Sequence, residues 1–274
     1  MSDIKITVIT CTKNSEKYLS ECIESVKAQT HKKIEHLFID GGSKDKTLKI
    51  INSYYNSPVV YSGKDRGMYD AFNRGLSLAA GEIIGFLHAD DAFYDNEALF
   101  RVAGSFNKNP QIEYYSSVMQ IYDRELKHHF ASLGARPHKP TFSEQLYSST
   151  YYAHPTYYCR REVINKVGEY DLKYKIGADI DWLIRLEALE LPSFFDYRPL
   201  IKFRSSGQSA KKYFLALKEE FTIRRKRQGL SFALVVIYSY HFLRRGIRRL
   251  LEIFRLGFIV SLSRRLIFRL RKGT

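Results

Sequence analysis

Acidic side chains suited to holding a metal ion recur in the first part of the sequence, each directly after an apolar segment. Asp90 and Asp91 form an adjacent pair, and Asp40 and Asp65 follow two earlier segments of this kind. Carboxylate oxygens are the ligands that Mg²⁺ and Mn²⁺ prefer, and such an ion neutralises the charge on a leaving phosphate group. A lone pair of aspartates often only begins a turn, so this prediction depends on the other acids lying close by.

A second acidic motif could supply a general base. Asp179 and Asp181 stand at the start of an apolar pattern with helical spacing. Transfer of a group to a hydroxyl requires a base that removes the hydroxyl proton. An aspartate near a helix N-terminus can equally cap free N–H groups, so one of the two acids can be a cap and the other the base. We choose Asp179 as the base.

The apolar segments that precede the first set of acids predict alternating strands and helices. Such an order implies a parallel sheet with helices on both faces, and ligands of such sheets bind at the carboxyl ends of the strands. The acids are therefore expected to share one pocket. The predicted strands are 4–10, 34–39, 59–61 and 82–87, and the predicted helices are 18–26, 45–55 and 68–80.

The sequence after residue 100 has weaker patterns. Residues 112–119 resemble a further strand, and residues 131–150, with two prolines, resemble a loop. Two helices are predicted, at 160–167 and 181–189.

The composition favours a folded protein that stays in a reducing compartment. Hydrophobic residues make up 45% of the chain and aromatic residues 14%. The three cysteines, Cys11, Cys22 and Cys159, are widely spaced and form neither a zinc pattern nor a disulfide framework. The N-terminus leads directly into a predicted strand and lacks the pattern of a signal peptide. We expect a cytoplasmic protein.

The net charge of +15 belongs almost entirely to the C-terminal segment. From Arg224 onward there are 14 Lys and Arg residues and one acid, Glu252, whereas residues 1–223 hold 30 basic and 28 acidic residues. The body of the protein is thus nearly neutral and needs no polyanionic partner, and no nucleic acid is expected.

The basic segment also has an amphipathic pattern. Residues 230–243 are uncharged but fall short of the roughly 20 residues that span a bilayer. Beyond them an apolar stripe runs along one helical face, which is typical of a helix lying in a membrane interface. We predict that residues 224–274 bind an anionic membrane surface. One alternative is that these residues form helices packed on the rest of the protein. Another is a nucleic-acid arm, but the many apolar residues argue against it. The stripe consists of Ile247, Leu250, Leu251, Phe254 and Phe258.

Taken together, these motifs resemble family 2 glycosyltransferases with the GT-A fold, of the type found in bacterial surface-polysaccharide synthesis. Residues 40–47, Asp-Gly-Gly-Ser-Lys-Asp-Lys-Thr, resemble the family's Asp-Gly-Ser-x-Asp-x-Thr segment, and residues 86–91 stand where the family keeps its Asp-x-Asp motif. Residues 7–14 and 65–75 resemble two further family segments. A weaker match runs from 154 to 181.

The resemblance implies a Rossmann-like, mostly parallel α/β sheet followed by basic amphipathic helices. It implies a catalytic domain at 1–215, with a nucleotide-binding half at 1–95 and an acceptor half at 96–215. Residues 216–274 would then form a membrane-associating tail, peripheral on the inner face of the cell membrane.

The resemblance also implies an activity and its residues. A sugar would pass, with inversion, from a nucleotide-diphosphate donor, in the first place a UDP-sugar, to a lipid-linked or oligosaccharide acceptor, with Mn²⁺ or Mg²⁺ as cofactor. Asp91 would hold the metal, and Asp179 matches the base. The implied donor-binding residues are Thr10, Thr12, Asn14, Asp40, Asp65, Asn73, Asp90 and His154.

Three positions depart from the family pattern. His88 replaces the first acid of Asp-x-Asp, Lys13 replaces an aromatic residue, and Ala178 replaces the Glu of the Glu-Asp base motif. We do not expect His88 to bind the metal. The departures leave open a catalytically inactive membrane-bound module that binds a nucleotide sugar or glycan. A sugar nucleotidyltransferase is the other alternative, but residues 10–14 lack the glycines of its phosphate loop, and a dehydrogenase is excluded for the same reason.

Overall fold

The computed structural model describes residues 4–56, 58–134, 152–205 and 212–253, and within 248–253 it describes only the backbone. Most of the predicted loop at 131–150 and the tail from Phe254 onward lie outside these ranges. The strands are β1 (Ile6–Thr12), β2 (Ile34–Asp40), β3 (Val59–Ser62), β4 (Ile83–Phe86), β5 (Ala92–Phe93), β6 (Tyr114–Tyr122), β7 (His129–Gly134), β8 (Tyr158–Arg160) and β9 (Ser193–Arg204). The helices are α1 (Leu19–Lys27), α2 (Thr47–Tyr54), α3 (Met68–Leu78), α4 (Ala98–Lys108), α5 (Arg161–Val167), α6 (Ala178–Glu187), α7 (Tyr213–Gln228) and α8 (Phe232–Ile253).

The N-terminal half forms the parallel part of the sheet. Its strands lie in the order β3-β2-β1-β4, and all three neighbouring pairs are parallel. The register sets Thr12 beside Asp40, and Asp40 beside Ser62. Three strands therefore end side by side, and the predicted α/β fold is confirmed.

The second half extends the same sheet with mixed strand directions. Within the described residues the full order is β3-β2-β1-β4-β8-β6-β9-β5, with β7 paired to β6. Strand β8 is antiparallel to both β4 and β6, while β9 is parallel to β6. The loop prediction was wrong at residues 131–134, which belong to β7. That strand is stabilised by antiparallel pairing with β6, a tertiary contact that local composition does not reveal.

Both faces of β1, β4 and most of β2 are buried, which explains their continuous apolar sequences, whereas the edge strand β3 is largely exposed. Along β1, Ile6 and Val8 belong to one core, whereas Ile9 belongs to the other. This alternation is the two-residue period of a strand. Helices α3 and α6 contribute to the core that contains Ile9, and α1 and α4 contribute to the opposite core.

The last two described helices differ in what they contact. Helix α7 packs against α6, and Ile223 is fully buried in the core that contains Ile9. The inner face of α8 packs on α7 through Leu234, Ile237 and Tyr238, which cluster with Leu217. None of the described helices is long and apolar enough to cross a membrane. Of the predicted apolar stripe, only Ile247 has a described side chain, and it is exposed.

Candidate active site

Asp40 joins the ends of the three neighbouring strands. Its buried carboxylate accepts hydrogen bonds from the hydroxyl groups of Thr12 at 3.0 Å, Ser43 at 2.5 Å and Ser62 at 3.0 Å. The backbone N–H groups of Gly42 and Ser43 donate two more, at 3.0 and 2.9 Å. Burial alone would raise the pKa of Asp40, but these hydrogen bonds outweigh it and lower the pKa. Asp40 is therefore ionised and fixes the loops around it.

Asn14 connects the loop after β1 to the loop after β2. It has a positive φ of 50°, a conformation that asparagine tolerates better than most residues. Its N–H donates to the Ser43 hydroxyl at 2.8 Å, and its side-chain oxygen accepts from the N–H of Lys44 at 2.9 Å. The two loops are thus held together from both sides.

Asp65 brings the loop after β3 to the same place. Its carboxylate lies 3.4 Å from the Lys13 ammonium group and accepts from the Gly67 N–H at 3.2 Å. A Cβ atom at Gly41 would lie only 2.1 Å from Asp65 Oδ2, so this contact requires glycine. Lys13, where the family has an aromatic residue, here makes an ion pair.

Asp90 and Asp91 follow β4 and differ in exposure. Asp91 is fully buried; its Oδ1 accepts from the Arg204 N–H at 2.9 Å, and its Oδ2 has no hydrogen-bond partner within the described chain. Burial and the adjacent charge of Asp90 raise the pKa of Asp91. Asp90 is partly exposed. The unsatisfied oxygen of Asp91 and the partly exposed carboxylate of Asp90 are a donor set that fits a divalent cation.

Arg204, at the end of β9, supports this acidic pair. Its buried guanidinium donates to the Asp90 carbonyl and the Glu21 carboxylate, and at 2.8 Å to the Arg124 carbonyl. It also lies 4.2 Å from the centre of the Tyr18 ring. Nothing in the sequence indicated this residue, because its partners are distant along the chain.

Aromatic rings connect the strand ends to the second half of the chain. His88 lies 6.0 Å from Phe72 and 6.0 Å from His154, measured between ring centres. Burial lowers the pKa of His154 to about 3, so its ring is neutral. His154 Nε2 is bonded to the Tyr170 hydroxyl at 2.8 Å, while its Nδ1 has no partner within the described residues.

Asp179 lies in the first turn of α6, next to Tyr69 of α3. The Tyr69 hydroxyl donates to Asp179 Oδ1 at 3.1 Å. Burial raises the pKa of Asp179 to about 6, and the hydrogen bond from Tyr69 partly opposes this. The Tyr69 ring lies 5.5 Å from Phe72, which connects Asp179 to the rings around His88. A carboxylate with a pKa near neutrality suits a general base.

The carboxylate of Asp181 is instead bound by other side chains of the protein. It is fully buried and accepts from Arg185 Nε at 3.0 Å and Arg227 Nε at 2.9 Å. Its oxygen atoms are therefore occupied by two guanidinium groups. The two acids left open by the sequence thus have different surroundings: Asp181 is bound by two arginines, whereas Asp179 is partly exposed and bonded to Tyr69.

Two of the predicted donor-binding residues use their polar groups inside the protein. The Thr10 hydroxyl is 3.0 Å from His36 Nε2 in a buried contact. The Asn73 amide exchanges two hydrogen bonds with the backbone of Tyr170, at 2.8 and 3.0 Å. Asn73 and Tyr170 thereby tie α3 to the segment before α6. Sequence reasoning missed the roles of Tyr69 and Tyr170 because each joins segments far apart in the chain.

An α/β sheet with carboxylates at adjacent strand ends and a further acid at a helix N-terminus is the arrangement of a GT-A transferase. Residues 7–168 match the model of glycosyl transferase family 2, which is more than half of the 274-residue chain, so the protein belongs to this family. It is a glycosyltransferase, and the predicted family and GT-A fold are confirmed.

Relatives and solved structures agree with this assignment. The chain is 31% identical over 184 residues to a PGL/p-HBAD biosynthesis glycosyltransferase of Mycobacterium bovis, a match that covers 65% of this chain and 68% of the relative. Among solved structures, Staphylococcus aureus TarS 1–349 in complex with UDP-GlcNAc has a TM-score of 0.58 at 19% identity, covering 87% of this chain and 73% of that one. The Pyrobaculum calidifontis mannosyltransferase PcManGT with GDP-Man and Mn²⁺ has a TM-score of 0.61 at 14% identity, covering 87% and 69%. At these identities the structures establish the fold alone.

Proposed function

We propose that this protein transfers a sugar, with inversion, from a nucleotide-diphosphate donor to a hydroxyl group of a lipid-linked or oligosaccharide acceptor in cell-surface polysaccharide synthesis. The observation that carries the proposal is Asp179, a partly exposed carboxylate with a raised pKa of about 6, held by Tyr69. Asp179 takes the proton of the acceptor hydroxyl, whose oxygen then attacks the anomeric carbon. The bond from that carbon to the diphosphate breaks, and the nucleoside diphosphate leaves with the electron pair.

The donor is placed at the loops after β1, β2 and β3. Thr12, Asn14, Asp40 and Asp65 meet there through the contacts described above. Asp40 already accepts five hydrogen bonds, so a direct contact to the nucleobase requires that one of them be released. A UDP-sugar is the proposed donor, in keeping with the UDP-GlcNAc complex of TarS.

A divalent ion, Mn²⁺ or Mg²⁺, is the proposed cofactor. When bound, it would neutralise the charge of the leaving diphosphate. Asp91 is the proposed ligand because its Oδ2 is unsatisfied, and Asp90 would contact the ribose or sugar. The partial exposure of Asp90 makes it the alternative ligand. The described residues contain no cluster of three or more acids, histidines or cysteines, so donor phosphates and water would complete the coordination.

The tail is proposed to bind an anionic membrane surface, which would bring the site to a lipid-linked acceptor at the inner face of the cell membrane. Helix α8 exposes large apolar side chains, one of which, Phe242, also contacts Phe214 of α7. The basic side chains of Arg225, Lys226 and Arg244 are exposed as well. Apolar burial and attraction to anionic lipid would act together. The exposed apolar residues are Phe232, Val235, Phe242, Leu243 and Ile247.

A thermal-shift screen tests the donor proposal. The purified protein is heated with UDP, GDP, UDP-glucose, UDP-N-acetylglucosamine or GDP-mannose, each with and without Mn²⁺. We expect a uridine nucleotide to raise the Tm only when the metal is present, with about 2.7 kcal/mol of stabilisation at a ligand concentration of about 100 times Kd. A Tm that no nucleotide changes, with or without metal, would contradict the proposal.

A further inference from the structure

The carboxylate of Glu219, on α7, binds the turn that leads into α6. Its Oε2 accepts from the backbone N–H groups of Ile176 and Gly177, each at 2.9 Å. The N–H of Lys175 donates to both carboxylate oxygens, at 3.0 and 3.1 Å. One side chain therefore satisfies three successive backbone donors.

This contact anchors the start of α6, which lacks a side-chain cap. The N-cap position is Gly177, which has no side chain and makes no side-chain cap hydrogen bond. N–H groups at and before a helix N-terminus are stabilised by an anion, and hydrogen bonds to an ionised acceptor are roughly twice as strong as neutral ones. Glu219 thus supplies, from another helix, an anionic acceptor at the start of α6 that the local sequence does not provide.

Two further residues of α7 continue the contact along α6. Ile223 is buried so close to Gly177 that a Cβ at this glycine would lie 3.1 Å from Ile223 Cδ1. Arg227 donates to Asp181, at 2.9 Å from Nε and 3.3 Å from Nη2. Glu219, Ile223 and Arg227 are spaced four residues apart and so share one face of α7.

The same turn is held from the opposite side by α3. The single hydroxyl proton of Tyr69 is shared between two acceptors, the Ile176 carbonyl and Asp179 Oδ1. The backbone at Ile176 is therefore bonded through its N–H to Glu219 and through its carbonyl to Tyr69. Asp179 lies three residues further along, so its position depends on both partners.

We propose that Glu219 is a positioning residue, which holds the N-terminal turn of α6 and thereby keeps Asp179 in the geometry required of the base. This inference rests on the proposed function of Asp179. It assigns a role in catalysis to α7, a helix that lies partly within the predicted tail at 216–274. A displacement of a catalytic group by about 1 Å can reduce a rate by about 100-fold. Loosening this turn should therefore reduce turnover without disturbing the donor loops, which are the loops after β1, β2 and β3 where the donor is proposed to bind.

The test compares Glu219→Ala and Glu219→Gln with the matched control Lys218→Gln, an exposed neighbour on the same helix. Hydrogen exchange followed by mass spectrometry reports on the peptide that contains residues 175–180. Release of UDP from UDP-glucose and UDP-N-acetylglucosamine, with Mn²⁺, gives kcat and KM. We expect Glu219→Ala to accelerate exchange in this peptide and to lower kcat roughly 10- to 100-fold, with the donor KM within about twofold. Glu219→Gln should have an exchange rate and a kcat between those of Glu219→Ala and the wild type, because its amide oxygen can replace Oε2. Lys218→Gln should match the wild type in both measurements.

The outcomes separate the positioning role from the proposed function. Unchanged exchange in Glu219→Ala would overturn the inference whatever the turnover. Faster exchange with wild-type kcat would also overturn it, because the turn would then be loosened without consequence for the reaction. If instead Asp179→Asn turns over like the wild type, the base assignment fails, and the positioning role falls with it even if Glu219→Ala is slow.

Discussion

The hydroxyl group of Tyr69 lies 3.1 Å from Oδ1 of Asp179, to which it donates a hydrogen bond. Tyr69 belongs to α3 in the N-terminal half of the chain, whereas Asp179 opens α6 in the second half. The proposed base is thus oriented by a residue from the half that carries the donor loops. This contact gives a direct way to change the chemistry of Asp179 without replacing it.

Replacing Tyr69 by Phe should shift the pH dependence of turnover. A hydrogen bond to a carboxylate favours its charged form, so its loss raises the pKa of Asp179 above about 6. The acid limb of the kcat profile should move to higher pH, and the loss of rate should be larger at pH 6 than at pH 8. Tyr197→Phe is the control, because Tyr197 is 73% exposed on β9. An unchanged acid limb in Tyr69→Phe would show that this hydroxyl does not tune the base.

The raised pKa of Asp179 also predicts a pH-dependent stability. A carboxyl group whose pKa rises from 3.8 to about 6 on folding favours the folded state while it is protonated, and this contribution is lost as the pH rises through about 6. The asparagine of Asp179→Asn does not titrate, so this variant does not lose stability in this way as the pH rises. Its free energy of unfolding relative to the wild type should therefore increase between pH 4 and pH 8, by up to about 3 kcal/mol.

Urea denaturation at several pH values measures this difference. Asp45→Asn provides a contrast of opposite sign: desolvation acts to raise the pKa of Asp45, but the hydrogen bonds to its carboxylate, including those from Thr47, together outweigh this and lower the pKa. Stability from Asp45 is present above its unfolded pKa and is lost in acid. A relative stability of Asp179→Asn that stays constant from pH 4 to pH 8 would mean that the pKa of this carboxyl is not raised.

Separate replacement of the two strand-end acids should identify the metal ligand. Asp91→Asn should lose the Mn²⁺-dependent part of the stabilisation by UDP, while Asp90→Asn should keep part of it. An asparagine at 91 can still accept from the Arg204 N–H, so the variant should remain folded. Glu125→Gln, on the exposed turn between β6 and β7, is the control. The reverse result, with metal dependence lost in Asp90→Asn and kept in Asp91→Asn, would transfer the ligand role to Asp90.

The exposed apolar side chains of α8 should bind a membrane that contains anionic lipid. The full-length protein should float with phosphatidylcholine vesicles that contain phosphatidylglycerol and much less with phosphatidylcholine alone, and added salt should weaken the binding. Replacing Phe232, Leu243 and Ile247 together by Ser should abolish flotation. The control is Phe130→Ser, a ring on β7 that is 60% exposed. The membrane proposal fails if the full-length protein remains in the soluble fraction with both kinds of vesicle.

Local sequence patterns were sufficient for the elements that carry the donor loops. In α1, Leu19, Cys22, Ile23 and Val26 are buried at the spacing of one helical face, as predicted. Strands β1, β2 and β4 end where the apolar segments meet short polar residues. The positions of Asp40 and Asp65 could be inferred because parallel strands end at one edge of a sheet.

Long-range contacts account for what the sequence did not reveal. The choice between Asp179 and Asp181 depends on Arg227 and Tyr69, which lie 46 and 110 residues away from their respective partners. Similarly, Glu219 falls within the predicted tail at 216–274, and only packing shows that it binds the turn before α6. The membrane-binding prediction for the tail depended on composition and still awaits the flotation measurement.

The most direct test of the central claim is metal-dependent release of UDP from a UDP-sugar by the wild type and by Asp179→Asn. We expect the wild type to release UDP in the presence of Mn²⁺ or Mg²⁺ and EDTA to stop this release. Asp179→Asn should bind UDP normally but lose turnover by at least about 100-fold. Near-normal turnover by Asp179→Asn would contradict the assignment of the base. No turnover of any nucleotide sugar by the folded, UDP-binding wild type, with acceptor extracts supplied, would instead favour the inactive binding module.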